Sequence, residues 1–333
     1  MAARMTRRFA LALAGAACFP WPANADIPVA RRSGAAFGTL VHLTLVGLEP
    51  DAAAAAFDQS FHIISQIEAA ASLFRDDSEV ARLNAQGFLK NPSPDLLALL
   101  RLSARTSART NGAFDISVQP LWRAFDRAAK AGSWPSDSEI AALRGRIDWR
   151  DIKISDQEIR FARPGMAITL NGIAQGYAAE RVGDALRARG VANMFLDTGE
   201  IESRGTRADG EAWRAGLAAP RPPDDYFGLV SPFQGCLSTS GDYACFWSPD
   251  YVRNHIIDPA TGASPKELAC ACVIAPRGGE ADALSTALMV MGADKGLALI
   301  EQTPGVEALV IFKSGASRRT KNFPLLAAAP KAG

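Results

Sequence analysis

The segment Glu280–Gly292, EADALSTALMVMG, sets Asp282, Ser285 and Thr286 at i, i+3 and i+4. On a helix these three oxygen-bearing side chains share one face. A carboxylate with two hydroxyls is the donor set of a hard divalent cation such as Mg2+, which takes few protein ligands and keeps substrate phosphates. The same residues also suit ordinary helix chemistry. An acid near a helix N-terminus offsets the dipole, and Ser or Thr can bond back to the preceding turn. Spacing alone favours that plainer reading.

Four further stretches carry groups able to do chemistry. In Asn254–Gly262, NHIIDPATG, His255 precedes the apolar pair Ile256-Ile257 at an expected strand end. A histidine accepts a proton near neutral pH, although a lone strand histidine is more commonly a hydrogen-bonded surface residue. Thr169–Tyr177, TLNGIAQGY, reads as a strand, a glycine turn and a helix start, which would present backbone amides and carbonyls to a phosphate or a metal. In Leu237–Tyr243, LSTSGDY, Thr239, Ser240, Gly241 and Asp242 form either a polar ligand-holding loop or a simple turn. In Gly112–Leu121, GAFDISVQPL, Asp115 interrupts an apolar run, and a buried carboxylate needs a partner.

The elements that must hold these groups follow from apolar periodicity. Gly38–Val46 reads as a strand, and Asp51–Leu73 and Asp95–Thr110 as helices. Ser136–Leu143 reads as a short helix. Ile152–Phe161 and Ala167–Leu170 read as short strands, and Gly176–Arg189 as a helix stopped by Gly190. Strands and turns, among them NMFLD, EAWRAGLA and CLSTS, fill the chain from Asn193 to Val273. Two helices (Asp282–Met291 and Asp294–Gln302) and the strand Glu307–Phe312 follow, and the tail, residues 313–333, is expected to fray. Strands and helices mix without a strict βαβ period, which points to an α+β fold.

A net charge of +1 and the absence of any long Lys/Arg block exclude a polyanion binder, so no nucleic-acid partner is expected. The first 25 residues have the build of a cleavable export signal. Arg4, Arg7 and Arg8 precede the apolar run Phe9–Phe19, and Ala23-Asn24-Ala25 ends in a small-x-small cleavage pattern. The paired arginines favour a twin-arginine signal, which implies a periplasmic mature chain, residues 26–333, cut after Ala25. Lipid anchoring at Cys18 is the weaker alternative, because Gly15-Ala16-Ala17 is a poor lipobox. Cys236, Cys245, Cys270 and Cys272 remain in the mature chain; an oxidising compartment permits disulfides, and the sequence does not choose among pairings.

In order along the chain, GAFDISVQPL, NGIAQGYAAERV, DTGEIESRG, STSGDY, HIIDPATG and ADALSTALMVMG resemble the successive motifs of the FAD:protein FMN transferases, the ApbE-like family. The resemblance runs from about Phe37 to Phe312, residues 37–312. It implies an ApbE-like α+β fold of mixed sheets with helices around a central FAD and metal cleft, a single domain in all. It further implies a Mg2+-dependent transferase that cleaves FAD at its pyrophosphate, attaches FMN to a Thr or Ser hydroxyl of an exported or membrane-bound acceptor protein, and releases AMP. On this likeness Asp282, Ser285 and Thr286, with the carbonyl of Gly172, match the metal site, and His255 matches the base. FAD contacts fall at Phe37, Phe74, Ala113, Phe114, Asp115, Gln175 and Ile257, with Thr239, Ser240, Gly241 and Asp242 adding to the nucleotide pocket. The chain departs from the family pattern at Phe37, Phe74, Thr169, Gln175 and Thr198; at Thr169 and Gln175 a charge beside the nucleotide is lost. Two other readings share the site: an FAD pyrophosphatase that uses water as nucleophile, and a flavin-binding protein without turnover.

Overall fold

The computed structural model describes residues 27–222 and 226–326; the expected export signal and Cys18 lie outside the described residues. Val29–Ala36 (β1) and Thr39–Val46 (β2) form a hairpin that opens the chain. Next come the helices Pro50–Ala71 (α1) and Glu79–Gln86 (α2), the strand Phe88–Lys90 (β3), and the helices Pro94–Arg109 (α3), Gln119–Lys130 (α4) and Asp137–Arg144 (α5). Ile152–Ile154 (β4) and Glu158–Phe161 (β5) precede Ala174–Ala188 (α6). Asn193–Asp197 (β6), Ile201–Arg204 (β7), Ala215–Ala218 (β8), Tyr226–Val230 (β9) and Gly235–Gly241 (β10) then follow. Leu268–Ala275 (β11), Gly278–Met291 (α7), Ala293–Glu301 (α8), Glu307–Phe312 (β12), Ser317–Arg319 (β13) and Leu325–Leu326 (β14) complete the order.

The main sheet runs β1-β2-β6-β7-β10-β11-β12-β13, and each pair in it is antiparallel. Two three-stranded sheets, β14-β9-β8 and β3-β5-β4, accompany it. This is the α+β arrangement expected from the sequence. Strand β11 is buried at every residue because both of its faces are covered. Ala271, Val273 and Ala275 pack with α7 and α8, while Cys270, Cys272 and Ile274 pack with residues of the β8-β9-β14 layer. A continuous apolar run, LACACVIA, is what such double cover requires.

Several elements differ from expectation for local reasons. Ala167–Leu170 forms no strand. The Asn84 side chain stands in for a strand partner, accepting from Ile168 N–H at 2.7 Å and donating to Ile168 O at 2.9 Å. Helix α4 was not expected, although Pro120 lies in its first turn, where a missing N–H costs nothing. The segment Asn254–Ile257 is a loop rather than a strand end, anchored by the Phe246↔Asn254 bridge. The tail does not fray up to Leu326. β13 extends the main sheet, Thr320 and Phe323 are buried, and β14 pairs with β9.

Candidate active site

Helix α7 begins four residues earlier than the apolar pattern suggests, so Asp282 lies beyond its first turn. Asp282 does not offset its own helix dipole. It serves a neighbour instead: Oδ2 accepts from the Gly176 amide at 2.9 Å, and the Gln175 amide also donates to the carboxylate. These are first-turn amides of α6, which has no side-chain cap of its own. An acid from another helix thus satisfies donors that a helix start leaves free. The approach depends on glycine. A Cβ added at Gly176 would lie 2.2 Å from Gly278 O and 2.7 Å from Asp282 Cβ.

The hydroxyls converge beside this carboxylate. Ser240 Oγ on β10 stands 2.8 Å from Ser285 Oγ and 3.1 Å from Thr286 Oγ1. Ser285 also donates to Asp282 O at 2.8 Å, so the local bond envisaged for this helix exists. It leaves the serine's lone pairs directed at Ser240. Gly172 completes the corner: a Cβ there would sit 2.9 Å from Thr286 Oγ1 and 3.6 Å from the Phe114 ring. Metal candidates Gly172, Asp282, Ser285 and Thr286, and cofactor candidates Phe114, Gln175 and Ser240, are therefore brought together.

Asp282 is 3% exposed and, among the described residues, carries no ion pair. Burial pushes its pKa up to about 7 against the two amide hydrogen bonds. No cluster of three or more His, Cys, Asp or Glu with metal-holding geometry occurs among the described residues. A cation here must use one carboxylate with hydroxyls and a carbonyl, an all-oxygen set that suits Mg2+ and not a soft metal. An unpaired buried carboxylate ringed by oxygens fits such an ion.

His255 is half-buried in the loop after the Phe246↔Asn254 bridge. Its Nδ1 is 2.9 Å from Cys245 O. A carbonyl only accepts, so Nδ1 carries the hydrogen and Nε2 keeps its lone pair. Burial lowers the His255 pKa, which holds the ring neutral. Asp242 contributes a smaller opposing pull. Two residues of β10 and its exit lie between this histidine and the hydroxyl corner: Ser240 at the corner, and Asp242 near the imidazole.

Other candidates have more structural employment than the sequence suggests. Asp115 Oδ1 accepts from Ser117 N–H and Oγ at 2.8 and 2.6 Å, and Oδ2 from Trp149 N–H at 3.1 Å. It ties two loops together. Asp242 is fully buried, bound by both guanidinium nitrogens of Arg221 at 2.8 Å and by Lys313 at 3.4 Å. Its carboxylate is not open to a ligand. Ile257 packs with Leu121 and Phe125. Gly241 leaves room for the Tyr243 ring, 2.3 Å from where a Cβ would stand, and Thr239 Oγ1 donates to Cys272 Sγ at 3.6 Å. Ala113 is half-buried beside Phe114.

The two remaining aromatic candidates carry a cost. Phe74 is 78% exposed, a large apolar side chain left in water. Phe37 and Gly38 form the two-residue β1–β2 turn with φ of +53° and +75°. Both central residues of such a turn need positive φ, and a bulky side chain is rare there. The Phe37 amide is held by Glu68 Oε1 at 2.6 Å.

Sequence reasoning passed over Glu200, although it lies within the quoted DTGE. It is 8% exposed, accepts from the Thr239 amide at 3.0 Å, and is pushed well above its usual pKa by burial, then by the nearby Asp282 charge. Two acids, Glu200 and Glu202, flanking Ile201 within an expected strand were the available signal.

A profile of the ApbE family matches residues 37–310. This chain belongs to the ApbE family. It is 31% identical over 307 residues to an FAD:protein FMN transferase from Treponema pallidum, covering 84% of each chain. It is 30% identical over 264 residues to one from Vibrio cholerae, covering 76% of this chain and 78% of that relative. Among solved structures, the Vibrio cholerae flavin transferase ApbE superposes with a TM-score of 0.78 at 26% identity, over 89% of this chain and 97% of that one. The apo form of Pseudomonas stutzeri flavinyl transferase ApbE gives 0.77 at 30% identity, over 89% and 95%. The ApbE-like fold expected from the motifs is therefore confirmed.

The four cysteines beyond the N-terminal segment are free, although Cys270 and Cys272 Sγ lie 3.7 Å apart. No helix among the described residues is long and apolar enough to cross a membrane.

Proposed function

We propose that this protein is an FAD:protein FMN transferase that works with Mg2+ and moves FMN onto a Thr or Ser hydroxyl of an acceptor protein. The observation that carries the reading is the corner at α7, where a buried carboxylate without a cationic partner shares a helix face with two hydroxyls, and a third hydroxyl from β10 meets those two. Family membership and the names of the relatives support the same reaction.

Asp282, Thr286, Ser285 and the Gly172 carbonyl would hold the cation, and a bound Mg2+ would neutralise charge on the FAD pyrophosphate. The protein's own part is positioning and proton transfer. His255 Nε2 takes the proton of the acceptor hydroxyl, whose oxygen attacks the phosphorus of the FMN half. The bond from that phosphorus to the bridging oxygen breaks, and AMP leaves with the bridging oxygen and its electron pair. A base so placed contributes typically ~10²–10⁴-fold. Phe114 and Gln175, beside the corner, and Phe37 and Phe74 at the hairpin side are the side chains we assign to holding FAD.

The test is incubation of the mature chain with FAD, Mg2+ and an acceptor domain, followed by mass measurement of the acceptor. A covalent FMN adduct with one AMP released per adduct is the expected result. AMP and FMN without adduct would assign the site to a pyrophosphatase, and intact FAD would overturn both enzymatic readings. We further infer export to the periplasm from Arg7-Arg8 and the apolar run after them. A fusion of residues 1–30 to a reporter active only outside the cytoplasm should give signal, and Arg7→Lys with Arg8→Lys should abolish it.

A further inference from the structure

The β7–β10 pairing stops where the cation corner begins. Gly235, Cys236 and Leu237 pair with Ser203, Glu202 and Ile201, and the ladder ends there. Extending that register would set Thr239 opposite Gly199. Gly199, however, belongs to the three-residue turn Thr198–Glu200 that closes the β6–β7 hairpin, since Asp197 already pairs with Ile201. The turn is bent away by its own bonds. Gly199 has φ +98°, Asp197 Oδ1 accepts from the Gly199 amide at 3.0 Å, and Thr198 Oγ1 donates to Gln175 O at 3.1 Å. A Cβ at Gly199 would lie 2.1 Å from Gln175 Nε2, so the turn, α6 and the Gln175 amide interlock only with glycine there. β10 is thereby left without a backbone partner on this side for the Thr239 amide.

Glu200 fills the gap: its Oε2 accepts from the Thr239 amide at 3.0 Å, and Ser238 also hydrogen-bonds to the carboxylate. A buried backbone amide requires such a partner. The next residue along β10 is Ser240, whose hydroxyl meets Ser285 and Thr286.

We propose that Glu200 is a positioning residue. Its carboxylate replaces the missing strand partner of β10, and so holds Ser240 against the Ser285–Thr286 face while the space beside Thr239 stays clear of backbone. The role follows from reach and hydrogen bonding. An amide at the same length serves nearly as well, and a shorter acid does not. Its consequence for turnover rests on the proposed transferase activity; its consequence for β10 does not.

The full mature chain, without FAD or metal, is compared by hydrogen–deuterium exchange as wild type, Glu200→Gln, Glu200→Asp and Glu200→Ala. In Glu200→Asp and Glu200→Ala the segment 238–241 should exchange ~10-fold faster or more, while peptides from β11 and α7 keep their protection. Glu200→Gln should stay within about threefold of wild type. Unchanged protection in Glu200→Asp and Glu200→Ala overturns the proposal. So does loss in Glu200→Gln with retention in Glu200→Asp, which would make charge the operative property. If Glu200→Ala fails to fold, the Gln and Asp variants decide alone. In FMN transfer the same order is expected: kcat falls ~10-fold or more in Glu200→Asp and is kept within about threefold in Glu200→Gln, with KM for FAD little changed. A wild type that transfers no FMN but shows the exchange pattern would sink the proposed function and leave this assignment standing.

Discussion

Asp242 and Asp282 are both buried carboxylates near the end of β10, and they are treated in opposite ways. Asp242 has a bidentate guanidinium from Arg221 and the ammonium of Lys313, and Arg221 in turn lies over the Tyr251 ring at 4.0 Å. Asp282 has two backbone amides and, among the described residues, no cation to pair with; another buried acid, Glu200, lies nearby, and the Asp282 pKa rises to about 7. The first carboxylate is compensated inside the protein and fastens the loop that carries His255. The second is left for something outside the protein to compensate. These two buried acids therefore divide by their partners: Asp242, paired with cations, belongs to the frame, and Asp282, without one, is the candidate for the chemistry.

The largest effect that can break this contrast is Asp282→Asn. The amide oxygen still accepts from Gly176, so α6 keeps its cap, but a cation bound as proposed would lose its only charged ligand. Transfer should fall ~10³-fold or more, since a metal supplies several kcal/mol of charge stabilisation. Addition of Mg2+ should no longer raise the melting temperature. A variant that keeps both activity and the Mg2+ response would remove Asp282 from the metal site.

Asp242→Asn should do the reverse. It strands Arg221 and Lys313, both mostly buried, and breaking such a pair costs about 3 kcal/mol. Denaturant unfolding should show that loss with or without Mg2+. A fall in Mg2+ affinity with unchanged stability would mean the two carboxylates have been assigned the wrong way round.

His255→Gln sharpens the division within the site. Mg2+-dependent stabilisation should persist, while the rate of FMN transfer drops ~10²–10⁴-fold. The wild-type rate should fall at acidic pH as Nε2 takes a proton, with a midpoint below the ordinary histidine value because burial depresses it. A midpoint above that value would contradict a desolvated base.

The contrast also has a pH signature. Asp282 has a folded pKa raised above its unfolded 3.8, so its folded state binds the proton more tightly. The stability it contributes is full below pH ~4 and lost as pH rises through about 7. Glu202, also raised to about 7, adds to the same slope, as does Glu200, which burial and the Asp282 charge raise, so the difference between wild type and Asp282→Asn reads Asp282 together with its effect on Glu200. Without metal, the variant should gain on wild type by up to about 3 kcal/mol between pH 5 and 8.

Much of this was legible in the chain. The shared face of Asp282, Ser285 and Thr286 needs only helical spacing, and the motif order gave the family and fold. What was hidden depends on neighbours distant in sequence. That Asp282 caps α6 requires the Gly176–Gly278 crossing, and no local pattern records which helices cross. Ala167–Leu170 reads as a strand from its apolar residues, but its partners are the Asn84 side chain and the Ile116 carbonyl, not a neighbouring strand. Asp242 sat in a turn-like polar stretch, and only the fold brings Arg221 and Lys313 to it. Glu200 was overlooked because its work is to stand in for a strand that is absent.

Phe37 gives the smallest and most discriminating test, because it extends the contrast from charge to backbone strain. Its ring packs against two core clusters, but its φ of +53° is a conformation that Asn tolerates far better. If Phe37, like Asp282, is kept at a cost for the sake of a ligand, Phe37→Asn should change apo stability by less than about 1 kcal/mol. Relief of turn strain then offsets the packing that a half-buried ring provides. FAD binding, followed by titration of flavin fluorescence, should weaken severalfold in the same variant. Loss of several kcal/mol of stability with FAD affinity intact would place Phe37 with Asp242 in the frame, and the strained turn would then be a feature of folding alone.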